Sequence, residues 1–400
     1  MLEIFIDKKE NQEKVALIEN GNLVEYYEED EETDRKEGNI YVGTVKDIIP
    51  GMQSAFIDIG TEKNGFIHLK DILPKVDEKN EKLELNLDIK KVIKPNQKLL
   101  VQIKKDSNDK KGARVSTHIN LPGKYIVLMP NTDFITISQK IEDKKEQERL
   151  VNLVKEHIGK ENGAIIRTSA VKKDKEIVQD IELLQNKWKE IQEKYNQKIS
   201  QNNGESLVYE SENIVDKMII DLVSEKIENI VTNNKAEYDK LIIEKNKMEE
   251  LSNTKISLEN KDVLDIYDIK KQIEKICNRK IWLKCGGFIT IDKTEALTAI
   301  DVNTGKYTGS KNLEQTLYKV NEEATVEIAK QLRLRDIGGI IIIDYIDMRK
   351  QENKDKIQKL LEERLKLDRA KTQVEGFTKL DLMEMTRKHI CSHKDRKENN

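Results

Sequence analysis

Four hundred residues allow roughly two to four domains, and a content of 37% hydrophobic and 36% charged residues predicts small cores and long surface helices. A formal net charge of −3 excludes whole-surface attraction to nucleic acid, so any such site must come from local Lys and Arg clusters. No apolar run approaches a bilayer span and no leader-type pattern opens the chain, so a cytoplasmic protein is expected. Cys277, Cys285 and Cys391 are scattered, odd in number and outside any CxxC, which fits a reducing compartment.

In chain order, an apolar run from Leu2 to Ile6 precedes a predicted hairpin, Lys14 to Ile18 and Leu23 to Tyr27, around Asn20-Gly21-Asn22. The acidic run Glu28 to Asp34 reads as a solvated linker. From about Lys36 to His118, short strands spaced by Gly38, Gly43, Gly51, Gly60 and Gly65 predict a small barrel. There, Ala55, Ile57 and Ile59 form an apolar face, so Phe56 points the other way with Ser54 and Asp58. Ile67 and Leu69 pair off similarly and leave Phe66 beside His68. Two phenylalanines on polar faces suit base stacking, worth about 1–3 kcal/mol per base. Lys104, Lys105, Lys110 and Lys111 are spaced to track phosphates. The competing reading is that both rings close a minor core at one barrel end.

Leu121 to Pro130 and Gly163 to Ser169 are strand-like, and Glu142 to His157 is helical. Ile177 to Gln197 is an amphipathic helix with Ile181, Leu184, Trp188, Ile191 and Tyr195 at steps of three or four. Arg167 and Thr168 end the second strand and offer a charged fork and a hydroxyl to a phosphate. An arginine there otherwise makes a surface salt bridge. From Glu212 to about Asn278 come helical patterns such as Ile214, Met218, Leu222 and Ile227, and a helix over Ile266 to Cys277. No element is assigned to the polar, aperiodic middle, Asp239 to Lys261.

The stretch Leu297 to Arg349 carries the chemistry. Along Leu297-Thr-Ala-Ile-Asp-Val-Asn-Thr-Gly-Lys306, alternation puts Thr298, Ile300 and Val302 on one face, Asp301 and Asn303 on the other. Asn312 with Gln315 looks like a capping box, opening the stripe Leu313, Leu317, Val320, Ala324, Ile328 and Leu332, which Gly338-Gly339 ends. Arg333 and Arg335, in the last turn, either touch phosphates or neutralise the helix dipole. Ile340 to Ile343 reads as a central strand buried on both faces, with Asp344 at its carboxyl end. If the two strands are neighbours, two carboxylates and a carboxamide meet, a donor set suited to Mg²⁺. The bland alternative is that each Asp terminates a strand or caps a helix. Asp347 reads as a cap for the helix after it.

The segment Ile281-Trp-Leu-Lys-Cys-Gly-Gly-Phe-Ile-Thr-Ile-Asp-Lys-Thr-Glu-Ala-Leu-Thr-Ala-Ile-Asp-Val-Asn-Thr-Gly305 resembles the catalytic core of the ribonuclease E/G family. So do Glu327-Ile-Ala-Lys-Gln-Leu-Arg-Leu-Arg-Asp-Ile-Gly-Gly339 and Ile340 to Met348. The resemblance runs from the N-terminus to about Arg387. It implies a Mg²⁺-dependent, single-strand-specific endoribonuclease leaving 5′-phosphate and 3′-hydroxyl ends, with one metal ion held by Asp301 and Asp344. Asn303 falls on the asparagine that orients the first aspartate. Phe56, Phe66 and Lys111 match family positions that grip RNA, and Arg167 with Thr168 matches a pocket sensing a 5′-monophosphate. Lys306, just past the metal strand, is placed to stabilise charge on the scissile phosphate.

The implied fold is a multidomain α+β and α/β chain. A subdomain resembling ribonuclease H (1–35 and 213–278) is interrupted by an OB-fold of the S-one type (36–118) and a 5′-sensor subdomain (119–212). A subdomain resembling pancreatic deoxyribonuclease (279–390) and a polar tail (391–400) follow. The family also carries a Cys-Pro-x-Cys-x-Gly element through which two subunits share zinc. Here the tail Cys391-Ser-His393 offers one thiolate and one imidazole, against about four ligands for a closed site, so a homo-oligomer is expected only without a zinc link. No histidine lies in the core motifs, which disfavours a cyclic-phosphate mechanism. The rival reading is a non-catalytic RNA-binding or ribosome-associated protein on the same fold; a weaker one is a Mg²⁺-dependent phosphatase of small nucleotides.

Overall fold

Asn20 and Gly21 both take positive φ, 50° and 77°, giving the two-residue turn whose twist matches the strands it joins. It connects β2 (Gln12–Glu19) to β3 (Asn22–Asp30), and β1 (Leu2–Lys9) pairs antiparallel with β2 along its whole length. The strand β3 runs on to Asp30, so the start of the acidic run is sheet rather than linker; its remainder lies outside the described residues. The computed structural model describes residues 1–9, 12–30, 36–72, 88–107, 111–201, 206–222, 226–276, 278–305 and 313–390. The chain divides into two units, Met1–Thr33 with Glu225–Asn400, and Asp34–Ser224.

The second unit opens with β4 (Ile40–Ile49), β5 (Ser54–Asp58), β6 (Gly65–His68), α1 (Ile89–Val92), β7 (Lys98–Lys105) and β8 (Arg114–Ser116). The strands run in the order β4-β5-β6-β8-β7, and β7 pairs back onto β4, so the sheet closes into a small barrel. Ala55, Ile57, Ile67, Val101, Ile103 and Val115 fill it. A second sheet, in the order β11-β12-β10-β9, uses β9 (Leu121–Pro122), β10 (Ile126–Pro130), β11 (Ile135–Ile137) and β12 (Asn162–Ile166). The helices α2 (Lys144–Ile158) and α3 (Asp174–Gln201) pack on it, with Ile181, Leu184, Trp188 and Ile191 buried at the expected spacing. The strand β13 (Leu207–Tyr209) joins β4, and α4 (Ile214–Asp221) follows.

Back in the first unit, β14 (Ile227–Thr232) lies parallel to β1, so Ile227 begins a strand and does not extend the preceding helix. The unassigned stretch Asp239 to Lys261 contains most of α5 (Lys235–Lys247) and then β15 (Lys255–Leu258), the edge of a sheet ordered β15-β14-β1-β2-β3. After α6 (Ile269–Ile276) comes the sheet that carries Asp301 and Asp344: β16 (Lys280–Trp282), β17 (Phe288–Lys293), β18 (Leu297–Asn303), β19 (Gly339–Asp344), β20 (Thr372–Phe377) and β21 (Leu382–Arg387). Its order is β16-β17-β18-β19-β21-β20, antiparallel except for the parallel pair β18–β19. That pair is joined by α7 (Leu313–Leu334), and α8 (Gln351–Leu365) follows β19.

The burial of β19 corrects the sequence reading. Ile341 and Ile343 are fully buried against α7 and α8, but Ile340 is 51% exposed and Ile342 is half-buried. Both helices cover one face, so the unbroken apolar run does not mark a strand buried on both sides. The end of α7 also differs. Asp336 takes φ +47°, Ile337 N–H donates to Leu332 O at 3.0 Å and Asp336 N–H to Arg333 O at 3.3 Å, so an aspartate closes the helix before the glycine pair. Asn312, the expected cap at the other end, lies outside the described residues.

Arg333 turns to a carboxylate within its own unit. Its Nε–H donates to the buried Glu25 of β3 at 2.7 Å, and Arg369 reaches the same carboxylate at 2.6 Å. Arg335 donates to Gln331 and to the Asn278 carbonyl. Burial pushes the Glu25 carboxyl up, but the two guanidinium groups outweigh it and hold it at about 2. A carboxyl lowered by folding contributes its stability above the unfolded value, near 4.5, and loses it as pH falls toward 2. Urea midpoints of the wild type should therefore drop steeply across that interval. Glu25→Gln should begin about 3–5 kcal/mol less stable at neutral pH, because it removes the charge that two partly buried arginines share, and should show a shallower acid decline.

Candidate active site

The hairpin β17–β18 turns where Thr294 N–H meets Leu297 O at 2.9 Å, which starts β18 in the register its alternation demands. Thr298, Ile300 and Val302 are buried, while Asp301 is exposed and Asn303 half-buried on the opposite, uncovered face. In the parallel ladder, Asp301 is the direct partner of Asp344, the last residue of β19. Adjacent strands lie about 4.8 Å apart, so the two carboxyl groups share one small patch. The Asn303 carboxamide donates from Nδ2 to Asp301 Oδ2 at 2.6 Å and fixes that carboxylate's orientation.

The exit of β19 is clamped from behind. Asn321, fully buried on α7, donates to Ile346 O at 2.7 Å and accepts from Ile346 N–H at 3.1 Å. Thr325, also buried, donates to the Tyr345 hydroxyl at 2.9 Å. These residues hold the backbone beyond Asp344 and were not singled out in the sequence, because nothing in a helical stripe marks which polar position faces a strand end. Asp347 is not the cap expected of it. The residue before α8 is Lys350, without a side-chain cap, while burial, then Asp301, then Asp347 push the Asp344 carboxyl up. Among the described residues, neither Asp301 nor Asp344 has a cationic side-chain partner. Among them, too, no three acidic, histidine or cysteine side chains converge on one metal position.

The histidines lie in other settings. His68 Nδ1 accepts from Lys70 N–H, while His157 and His389 bond the Leu153 and Asp336 carbonyls. Lys306, Lys110, Cys277, Cys391 and His393 lie outside the described residues.

In the second unit, Phe56 and Phe66 are register partners on β5 and β6, ring centroids 6.1 Å apart and 67° inclined. Phe56 is 37% exposed and points out of the barrel, whose interior is filled without it. Arg114, paired with Phe66 in the ladder, is held by Asp71, and Lys111 is exposed nearby in sequence. Lys104 donates to Gln102. Arg167 and Thr168 sit one step beyond β12, not within it. The Arg167 guanidinium donates to the Gly123 carbonyl at 2.7 Å and also pairs with Asp221 of α4. Thr168 Oγ1 lies 3.1 Å from Ser138 Oγ. The buried Asp180 of α3 accepts the N–H groups of Lys124, Tyr125 and Ile126 and so pins the strand facing Arg167. A Cβ on Gly123 would come within 2.7 Å of that carboxylate, so a larger residue here would displace Asp180 from the N–H groups it accepts.

Folding raises the Asp344 pKa, so its ionised form costs stability once pH exceeds the ordinary carboxylate value near 3.8. Asp344→Asn should therefore raise the thermal midpoint at neutral pH in EDTA. A lower midpoint would mean that the carboxylate holds the fold together instead.

The sequence profile of the Ribonuclease E/G family matches residues 120–390. Ribonuclease G of Salmonella typhimurium is 36% identical over 394 residues, covering 96% of this chain and 79% of that protein. Ribonuclease G of Escherichia coli K12 is likewise 36% identical, over 395 residues. Ribonuclease E of Buchnera aphidicola subsp. Schizaphis graminum is 34% identical over 400 residues, 98% of this chain and 41% of that protein. With Asp301, Asn303 and Asp344 gathered at one strand pair, the chain belongs to the ribonuclease E/G family and is an endoribonuclease of it.

Proposed function

We propose that this endoribonuclease hydrolyses single-stranded RNA with Mg²⁺, leaves 5′-phosphate and 3′-hydroxyl ends, and works faster on RNA bearing a 5′-monophosphate. The observation that carries the reading is the pairing of Asp301 with Asp344 in register across β18 and β19, with Asn303 bonded to the first. The donor set fits the ion: two carboxylates are enough for Mg²⁺, which keeps several waters and completes its shell with substrate phosphate oxygens. When bound, it would polarise the phosphodiester and lower the pKa of an attacking water. Asp301 and Asp344 would hold the ion, Asn303 keeps Asp301 from rotating away, and the Asn321 clamp fixes the strand end from which Asp344 projects.

The outward Phe56 and Phe66 rings supply stacking surface for bases, and Lys111 supplies charge for the backbone. Arg167 offers five N–H donors, of which the Gly123 and Asp221 contacts occupy two, so a terminal phosphate can still be bound. In this reading the barrel is an OB-fold, the sheet of β1 resembles ribonuclease H, and the sheet of β18 resembles pancreatic deoxyribonuclease. The enzyme serves ribosomal RNA processing and messenger decay in the cytoplasm. Among the described residues no helix is long and apolar enough to cross a membrane.

The test uses two single-stranded oligonucleotides that differ only in a 5′-monophosphate or 5′-hydroxyl, each with Mg²⁺ and with EDTA. Cleavage is expected only with Mg²⁺ and faster for the monophosphate; equal rates would remove the sensing role of Arg167 and Thr168. Asp301→Asn and Asp344→Asn should each abolish cleavage while anisotropy shows RNA affinity largely kept. Wild-type turnover in either variant would refute the assignment.

A further inference from the structure

The uncovered face of the β18 sheet carries more than the carboxylates. On its edge strand β16, Ile281 packs toward the helices, which turns Lys280 and Trp282 to the open side. Trp282 is 57% exposed, and its indole meets the Phe288 ring edge-on, centroids 5.3 Å apart and 61° inclined. The Lys280 ammonium lies 4.3 Å from the Trp282 centroid and 3.5 Å from that of Phe288. A large indole left in water on an edge strand adds nothing to the core, and the cation beside it has no carboxylate partner among the described ion pairs.

Register ties this cluster to the acids. Trp282, Phe288 and Asn303 are successive partners in one row across three strands. Lys280, Thr290, Asp301 and Asp344 form the neighbouring row. Paired positions on adjacent strands point to the same face, so Phe288 flanks the carboxamide that orients Asp301. Lys280 stands two strand spacings, about 10 Å, from Asp301 along the row. An aromatic pair with a cation beside it binds a nucleobase and its phosphate, since every base offers a π face and the ammonium offsets backbone charge.

We propose that Trp282, Phe288 and Lys280 form a nucleobase-stacking subsite, which takes the base of a nucleotide next to the scissile phosphate of single-stranded RNA. The inference rests on the assignment of Asp301 and Asp344 as the cleavage site. Trp282 presents the stacking face, Phe288 holds the indole upright from the side, and Lys280 meets the linking phosphate. An RNA strand is the occupant because the cluster is continuous, through Phe288 and Asn303, with the carboxylates that act on RNA. A protein partner on this apolar face would have no use for that continuity.

The experiment crosses a protein change with a substrate change. Oligonucleotides carrying one abasic residue, moved stepwise across the cleaved bond, are compared on wild type, Trp282→Ala and Trp282→Tyr. On wild type, one abasic position should lower kcat/KM about tenfold. On W282A all-base RNA should lose a similar factor, the abasic penalty at that position should vanish, and W282Y should restore most of both. Independent, additive penalties, or W282A cutting like wild type, would overturn the subsite. So would a change in sedimentation of W282A with cleavage intact, which assigns the face to a protein contact. If the cleavage assignment itself is wrong, D301N cuts at the wild-type rate, an outcome separate from any of these. Thermal midpoints of both Trp282 variants should match wild type, since the side chain is outside the core.

Discussion

The parallel pairing of β18 with β19 is the constraint on which the candidate site depends. It sets Asp301 beside Asp344, and the two like charges stay close because the backbone ladder, not their own attraction, fixes them there. The ladder in turn depends on α7, whose buried face lies under the sheet and whose Asn321 and Thr325 hold the chain just past Asp344. Burial and the two neighbouring aspartates push the Asp344 carboxyl up, so its ionised form is held there at a cost in stability. Because both packing helices cover the same side, the acids face solvent without a competing guanidinium or ammonium among the described residues. A sheet sandwiched by helices on both sides would have hidden them.

Much of this was legible in the residues. Period-two alternation assigned the faces of β18 and of β5 correctly, since a strand's side chains have no other choice once one face is apolar. The unbroken run Ile340 to Ile343 misled, because continuous apolarity says that a strand is central in its sheet but not that both faces are covered; Ile340 remains 51% exposed. Asp347 fits a cap by spacing alone, and only the fold shows its charge acting on Asp344. The partners of Arg333 and Arg387 were out of reach of any local reading. Glu25 precedes Arg333 by 308 positions, and Arg387 joins Asp336 and Asp368 inside the core. Long-range ion pairs leave no periodic trace.

Arg167 shows how a guanidinium at a strand end is held in place. Asp221 and the Gly123 carbonyl restrain its guanidinium, and Asp180 braces the backbone opposite through three N–H groups. Such restraint removes rotamer freedom before a ligand arrives, so less is lost on binding. The arginine thus makes the ion pair expected of a strand end, with a backbone carbonyl as its second partner.

The first sheet has a consequence for how the polypeptide leaves the ribosome. β1 is made well before its second neighbour, β14, which begins at Ile227, beyond the whole of the second unit. At about 5–20 residues per second, that edge stays unsatisfied for roughly 10–40 seconds of translation. During this wait, a row of open N–H and C=O groups on an apolar strand is vulnerable to pairing with another nascent chain. The intervening unit has its own barrel and sheet and can mature meanwhile, so correct assembly turns on the late arrival of a single strand.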